Sequence, residues 1–303
     1  MITHDYADVN GVRLHYAASG PGNVGALVLF LHGFPEFWYA WKDQLAAFGR
    51  DHRAVAPDLR GYNLSSKPPE VAAYRMARLV EDVRALAARL TPAGDGQPER
   101  FILVGHDWGG AVAWAFALSH PALLERLVII NAPHPAIFAR ELRANPAQQE
   151  ASRYMLDFRA PDAEGVLAAG GYAMLLGLMR GRGRHRDFLT GEDRRAYVEA
   201  WSQPGALTGG LNYYRATSAA PPAAGEAGEA TGPGSSLDPA AMVVRAPTLV
   251  IWGEQDRALL TGNLEGLDRF VPDLTIRRVP DASHWIVHEQ PALVESAIRA
   301  FIG

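Results

Sequence analysis

Phe101-Ile102-Leu103-Val104-Gly105-His106-Asp107-Trp108-Gly109-Gly110 is the stretch whose reading decides the fold. Its first four residues are apolar without interruption, as in a strand covered on both faces. The small, apolar run Trp108–Ser119 reads as a buried helix that stops near Pro121. Between them the chain must turn within a few residues, with Asp107 at the apex. This is the pattern of a nucleophile elbow, with aspartate where serine is usual. Only glycine avoids a Cβ clash two residues either side of the apex, and Gly105 and Gly109 stand there. In a chain with 30 glycines, G-x-D-x-G alone is a weak signal; the strand before it and the helix after it give it specificity. The competing reading is a plain strand-to-helix turn with a capping aspartate.

Working outward, residues 26–31, 127–130 and 248–252 have the same unbroken apolar character. Residues 9–16 and 53–56 read as shorter strands. Met76, Leu79, Val80, Val83, Leu86, Ala87 and Leu90 follow helical spacing, and Pro291–Ile302 forms a terminal helix with proline at its start. Strand and helix alternate, so the expected class is α/β: a mostly parallel sheet with helices on both faces. From about 135 to 245 no strand is convincing, while 145–160, 164–179 and Gly191–Trp201 look helical. The expected organisation is therefore a core in two parts, 1–134 and 246–303, interrupted by a helical lid, 135–245. The lid ends in 216–238, which contains PPAAGEAGEATGPGSS and reads as a mobile loop or hinge.

Composition narrows the function. The chain has 303 residues, 48% of them hydrophobic and 20% charged, with no cysteine. Disorder, a disulfide scaffold and cysteine-ligated metal centres are excluded. Lys plus Arg total 29 against 33 for Asp plus Glu, a net charge of −4, so no nucleic-acid partner is expected. The start, MITHDYADVNGVRLHY, has no apolar core of signal-peptide length, and no run approaches the ~20 residues of a membrane span. A cytoplasmic location without membrane contact is the default expectation.

Two further segments complete a catalytic constellation. Residues 248–252 are followed by Gly253-Glu254-Gln255-Asp256, which puts an acid just past a strand end. Asp281-Ala282-Ser283-His284-Trp285 then precedes the last helix. The order nucleophile, acid, histidine is that of the elbow-bearing hydrolases. Taken singly, Asp256 reads equally as a turn residue and His284 as a helix cap. His32-Gly33-Phe34-Pro35 follows residues 26–31, and its glycine lets a main-chain N–H face a developing oxyanion. The Phe34 and Trp108 amides are the two candidate donors.

With these residues in view, the chain resembles an α/β-hydrolase-fold epoxide hydrolase of the soluble type along nearly its whole length. The resemblance rests on HGFP, on PDLRGY at 57–62, on GHDWGG, on NAPHP at 131–135, on GEQD and on SHW. It implies a helical cap, a covalent aspartyl ester, a diol product and a cis Phe34–Pro35 peptide. Departures are Asn63, where Gly is common, and the long 216–238 stretch. Asn tolerates a left-handed backbone better than most residues.

An ionised aspartate needs no base to attack, which suits displacement at a saturated carbon. His284 would then activate water against the Asp107 ester, with Asp256 stabilising the imidazolium. An epoxide opens to an alkoxide and needs an acid above it. The resemblance implies two lid tyrosines, matched here by Tyr154 and Tyr214, with Tyr213 the less suited neighbour; packing tyrosines are the bland alternative. Phe34, Trp108, Tyr154 and Tyr214 are then also the candidate substrate contacts.

A haloalkane or haloacid dehalogenase is the runner-up. Phe34 lacks a side-chain halide donor, and Trp108, Ala111 and Tyr154 stand where fluoroacetate enzymes resemble this chain least. A non-catalytic ligand-binding module is the alternative of another class. His106 reads as structural and facing away from the site, His134 and His288 as surface or packing residues. Arg180, Arg182, Arg184, His185 and Arg186 read as a solvated lid face. The expected partners are a small apolar epoxide and water, with no metal or organic cofactor, and a homodimer is left open.

Overall fold

The structure is a computed structural model describing residues 1–20, 25–91, 99–181, 187–222 and 239–303. Its strands are β1 (Thr3–Val9), β2 (Val12–Ser19), β3 (Leu27–Leu31), β4 (Arg53–Pro57), β5 (Phe101–His106), β6 (Leu124–Ile130), β7 (Thr248–Gly253) and β8 (Leu274–Val279). They form one eight-stranded sheet in the order β1-β2-β4-β3-β5-β6-β7-β8. β2 runs antiparallel to both neighbours, and every other pairing is parallel. Parallel neighbours need crossovers, which the chain makes through helices.

The core helices are α1 (Lys42–Phe48), α2 (Met76–Leu90) and α3 (Trp108–Ser119). Between β6 and β7 follow α4 (Pro135–Ala144), α5 (Pro146–Ala151), α6 (Tyr154–Asp157), α7 (Ala163–Leu178), α8 (Gly191–Trp201) and α9 (Ala206–Ala216). α10 (Ile286–Glu289) and α11 (Pro291–Ile302) close the chain. Among the described residues no helix is long and apolar enough to cross a membrane.

Alternation along the central strands divides the core into two layers. Leu29, Leu31, Leu103, Leu127, Ile129 and Val250 face a cluster built with α2, α3 and the helices that follow β6. Val28, Phe30, Ile102, Val104, Val128 and Ile251 face the other, with Trp41 and Phe48 of the α1 region and Val294 and Ile298 of α11. Burial on both faces explains why these strands read as continuous apolar runs.

Several boundaries differ from the sequence reading. Residues 9–16 straddle a hairpin rather than forming one strand. Asn10 and Gly11 take φ of 46° and 75°, and Val9 pairs with Val12. Asn-Gly is the favoured pair for such a turn. Asn145 caps the start of the helix expected over 145–160, accepting from the Ala147 and Gln148 amides, but that helix breaks into α5 and α6 at Ser152 and Arg153, where the Arg153 and Met155 amides bond to carbonyls three residues back. The helix expected over 164–179 is kinked at 169–172, where Gly170, Gly171 and Tyr172 adopt left-handed φ. Helix α1 and strand β8 were not anticipated. β8 is a mostly exposed edge strand, so its pattern carries little apolar signal.

Helix α9 was also not anticipated, because Gly209-Gly210 interrupts its pattern. The packing requires them. A Cβ on Gly209 would lie 2.2 Å from the Gly61 carbonyl oxygen. Gly210 likewise lies against the Phe34 ring. Residues 223–238 of the expected hinge, and Arg182, Arg184, His185 and Arg186, lie outside the described residues.

Candidate active site

The chemistry gathers at the C-terminal edge of the sheet, where parallel α/β folds place ligands. Asp107 follows β5 with φ 50° and ψ −120°, a strained conformation for a non-glycine residue. The close approach of β3, β5 and α3 permits it. A Cβ on Gly105 would lie 2.5 Å from the Gly109 carbonyl oxygen, and one on Gly33 would lie 2.4 Å from Asp107 Oδ1. The missing Cβ of Gly33 lets the Phe34 N–H reach Asp107 Oδ1 at 2.8 Å. The Phe34–Pro35 peptide is cis. Trp108 opens α3, where the first amides lack intrahelical partners.

The other Asp107 oxygen, Oδ2, lies 3.6 Å from His284 Nε2. His284 Nδ1 donates to Asp256 Oδ2 at 2.7 Å. Asp256 is buried at the end of β7, and its remaining acceptor capacity is also used. The amides of Ala258 and Leu259 donate to Oδ1, and Asn131 Nδ2 donates to Oδ2 at 2.8 Å. Burial alone would lower the His284 pKa. The Asp256 carboxylate, by charge and by hydrogen bond, outweighs it, and Asp107 and Glu36 add their charge. His284 is pushed up to about 9. Asp256 moves down: burial would raise it, but the charge and hydrogen bond of His284 prevail.

Tyr154 of α6 and Tyr214 of α9 lie over this edge. Their rings are 6.0 Å apart. Tyr214 meets Trp108 at 5.1 Å and Phe34 at 5.4 Å, both edge to face. Burial, with the Asp107 charge second, lifts both phenols well above their ordinary pKa. Tyr213 points elsewhere; its buried hydroxyl donates to the Arg60 carbonyl.

Two cavities meet at Asp107, Tyr154 and Tyr214. One, about 300 Å³, is walled largely by apolar side chains, among them Ala111, Ala115, Leu118, Phe138, Leu142 and Met155. The other, about 680 Å³, is more polar and passes Gln255, Asp256, Arg257, Ser283 and His284.

Several roles escaped the sequence reading. Asn131 stands at φ 40° after β6 and bridges β7 to the acid, accepting from the Gly253 amide while donating to Asp256. Its NAPHP motif carries the resemblance but no task of its own along the chain. Glu36, just past HGFP, is buried behind the histidine. It accepts from His288 Nε2 at 2.5 Å and from His106 Nδ1 at 3.1 Å. Burial would raise its pKa, but His288 and His106 hold it well below the ordinary carboxylate range.

The readings of His106 and His288 need correction accordingly, while the packing alternative holds for His134. His106 is structural but not remote: its ring lies 4.8 Å from that of His284, and its Nε2 donates to the His284 carbonyl at 2.8 Å. His288 is a partner of Glu36 rather than a surface residue. His134 is fully buried, bonded to the Met242 carbonyl and stacked on Phe270. Asn63 takes the left-handed φ expected for it, 40°, and donates to Asp58.

Comparison with known proteins agrees with this fold. A family model described as the alpha/beta hydrolase fold matches residues 26–291. A Bacillus subtilis protein named AB hydrolase superfamily protein YfhM is 38% identical over 299 residues, covering 98% of this chain and 96% of that protein. Human Epoxide hydrolase 4 is 35% identical, covering 99% of this chain and 79% of that protein. The crystal structure of a Bacillus megaterium epoxide hydrolase in complex with an inhibitor superposes with a TM-score of 0.84. That pair is 35% identical, with 98% of this chain and 99% of the other covered.

Proposed function

Because this chain belongs to the α/β-hydrolase family and is similar to epoxide hydrolases along nearly its whole length, we propose that it hydrolyses an epoxide to a vicinal diol through an ester on Asp107. One observation carries the reading. The two Asp107 oxygens are differentiated: Oδ1 accepts the Phe34 amide, while Oδ2 faces His284 below two tyrosines.

In the first step Oδ2 attacks an epoxide carbon and the ring C–O bond breaks. Its electron pair goes to the oxygen, which takes a proton from Tyr154 or Tyr214. The Asp107 charge disappears as the ester forms. That charge contributes to raising both phenols and His284. Alkylation therefore makes the tyrosines better donors when the alkoxide needs a proton. It also lowers the His284 pKa and frees the imidazole to act as a base.

In the second step His284 Nε2 takes a proton from water, whose oxygen bonds to the Asp107 carbonyl carbon. The oxyanion forms on Oδ1, already opposite the Phe34 N–H, and the Trp108 amide is the second donor. Collapse expels the diol oxygen, which takes its proton from His284. The proton left from water returns to the tyrosine. Asp256 stabilises the imidazolium throughout, held in place by Asn131. The helices between β6 and β7 act as the lid that carries the acid. The narrower apolar cavity fits an apolar substituent of a small epoxide. A dehalogenase would share Asp107 and Trp108 but has no use for the tyrosine pair, and Phe34 offers it no side-chain donor.

A single turnover with styrene oxide in heavy-oxygen water tests the mechanism. The label should enter the Asp107 carboxylate, read by peptide mass spectrometry, and the first diol should carry none. Label in the diol with Asp107 unlabelled would mean direct attack by water. Asp107→Asn should form no alkyl-enzyme. Halide release from a bromoalkane without diol from any epoxide would favour the dehalogenase reading.

A further inference from the structure

The two tyrosines stand on separate segments of the insertion, and their relative placement depends on what joins those segments. Tyr154 begins the stretch that runs through Phe158 to Arg159, and Tyr214 lies near the end of α9. Aromatic contacts provide part of the join: Phe158 lies 5.4 Å from the Tyr154 ring and 5.0 Å from the Tyr214 ring. Such contacts are short-ranged and tolerate sliding.

The directional part comes from one guanidinium. Arg159 Nε donates to the carbonyl of Tyr214 itself at 2.8 Å. Its Nη2 donates to the carbonyls of Thr217 at 3.0 Å and Ala219 at 2.6 Å. The last carbonyls of a helix have no intrahelical donor, and a cation there also meets the negative end of the helix dipole. The planar fork of arginine reaches several acceptors in one fixed geometry, which lysine does not.

Arg159 is half-buried, and among the described residues it has no carboxylate partner; burial alone acts on it and lowers its pKa. Its neighbour Arg215 is used differently. Arg215 forms a two-pronged pair with Glu164 and donates to the Ala160 carbonyl at 3.2 Å. Each segment thus offers an arginine to the other, but only Arg159 binds the peptide unit of the acid. Thr217 and Ala219 also line the apolar cavity, so the same three bonds set one wall of the substrate space.

We infer that Arg159 is a positioning residue that holds the Tyr214 hydroxyl in register with Tyr154 over Asp107, through the carbonyls of Tyr214, Thr217 and Ala219. The inference rests on the proposed alkyl-enzyme route. It concerns alkylation alone, because the acid acts when the epoxide opens. The hydrolytic groups stand on the sheet edge and do not touch Arg159.

The test is stopped-flow tryptophan fluorescence with styrene oxide, which separates alkyl-enzyme formation from its decay. Rates are normalised to the fraction of enzyme that can be alkylated, so misfolded protein does not count. Arg159→Gln should slow formation about 10- to 100-fold, since a displacement of ~1 Å costs on the order of 100-fold, and leave decay within about twofold. Arg159→Lys keeps the charge but not the fork and should fall between wild type and Arg159→Gln. Equal loss in both phases, or unchanged rates with only a lowered Tm, overturns the inference and leaves Arg159 a structural residue. Absence of any alkyl-enzyme in the wild-type protein overturns the route instead, a result the variants cannot imitate.

Discussion

Asp107, Asp256 and His284 stand just past the ends of β5, β7 and β8, whereas Tyr154 and Tyr214 stand on helices inserted between β6 and β7. The first group is held by main-chain ladders and by close, directional bonds. Gly33 lets Phe34 reach Asp107, and two amides with Asn131 saturate Asp256. The second group is held by aromatic edges and by Arg159, which bonds to carbonyls at the end of α9. In the proposed route the sheet edge fixes the groups that exchange charge, and the insertion presents the acid. Steps that depend on the sheet edge should therefore fail separately from those that depend on the insertion.

The sharpest break is His284→Gln. Alkylation should persist while ester hydrolysis falls by about 10³-fold, as expected for a lost general base, so that alkyl-enzyme accumulates and is detected by intact mass. Equal loss of both steps would mean that the imidazole also serves the first. Tyr154→Phe and Tyr214→Phe invert the pattern. Each should slow alkylation by roughly 100-fold and the double variant by more, with hydrolysis of the preformed ester unaffected in stopped-flow traces. A loss confined to one tyrosine would assign the proton to it and leave the other a hydrogen-bonding role.

Gly209→Ala probes how the insertion docks. The added methyl meets the Gly61 backbone and should lower stability by about 1–3 kcal/mol, visible as a reduced Tm. Alkylation should slow roughly tenfold while decay of the ester is unchanged, because Tyr214 shifts with α9. A matched loss in both phases would show that α9 also supports the sheet edge.

The smallest expected effect concerns pH. His284 at about 9 in the free protein is protonated at neutral pH. Loss of the Asp107 charge in the ester lowers that value. Hydrolysis of the alkyl-enzyme should thus slow as pH falls through an apparent pKa below about 9, because the protonated ring accepts nothing from water. A single-turnover decay series across pH measures it. A decay that accelerates as pH falls would remove His284 from the role of base.

Much of the sheet edge was legible along the chain. The elbow at 105–109, the acid after 248–252 and the histidine before α11 are each fixed by a local turn at a strand end. Trp108–Ser119, Gly191–Trp201 and Pro291–Ile302 emerged as read. The insertion was less legible. Gly209-Gly210 interrupted the pattern of α9, and the apolar spacing showed neither the kink at 169–172 in α7 nor the break at Ser152 and Arg153 between α5 and α6. For α9 the close contact of Gly209 with the Gly61 backbone outweighed the apolar pattern.

The sequence by itself determined the alternation of strands and helices, the aspartate at the elbow and the absence of any thiol in a chain without cysteine. Those features follow from turn sterics, side-chain period and composition, all local quantities. Only the tertiary structure decided that Asn131 would orient Asp256, that Glu36 would stand behind His284, and that Arg159 would grip the peptide of Tyr214. Each is a hydrogen-bond or packing choice between segments far apart in the chain, and the choice exists only once the sheet has brought them within a few ångströms.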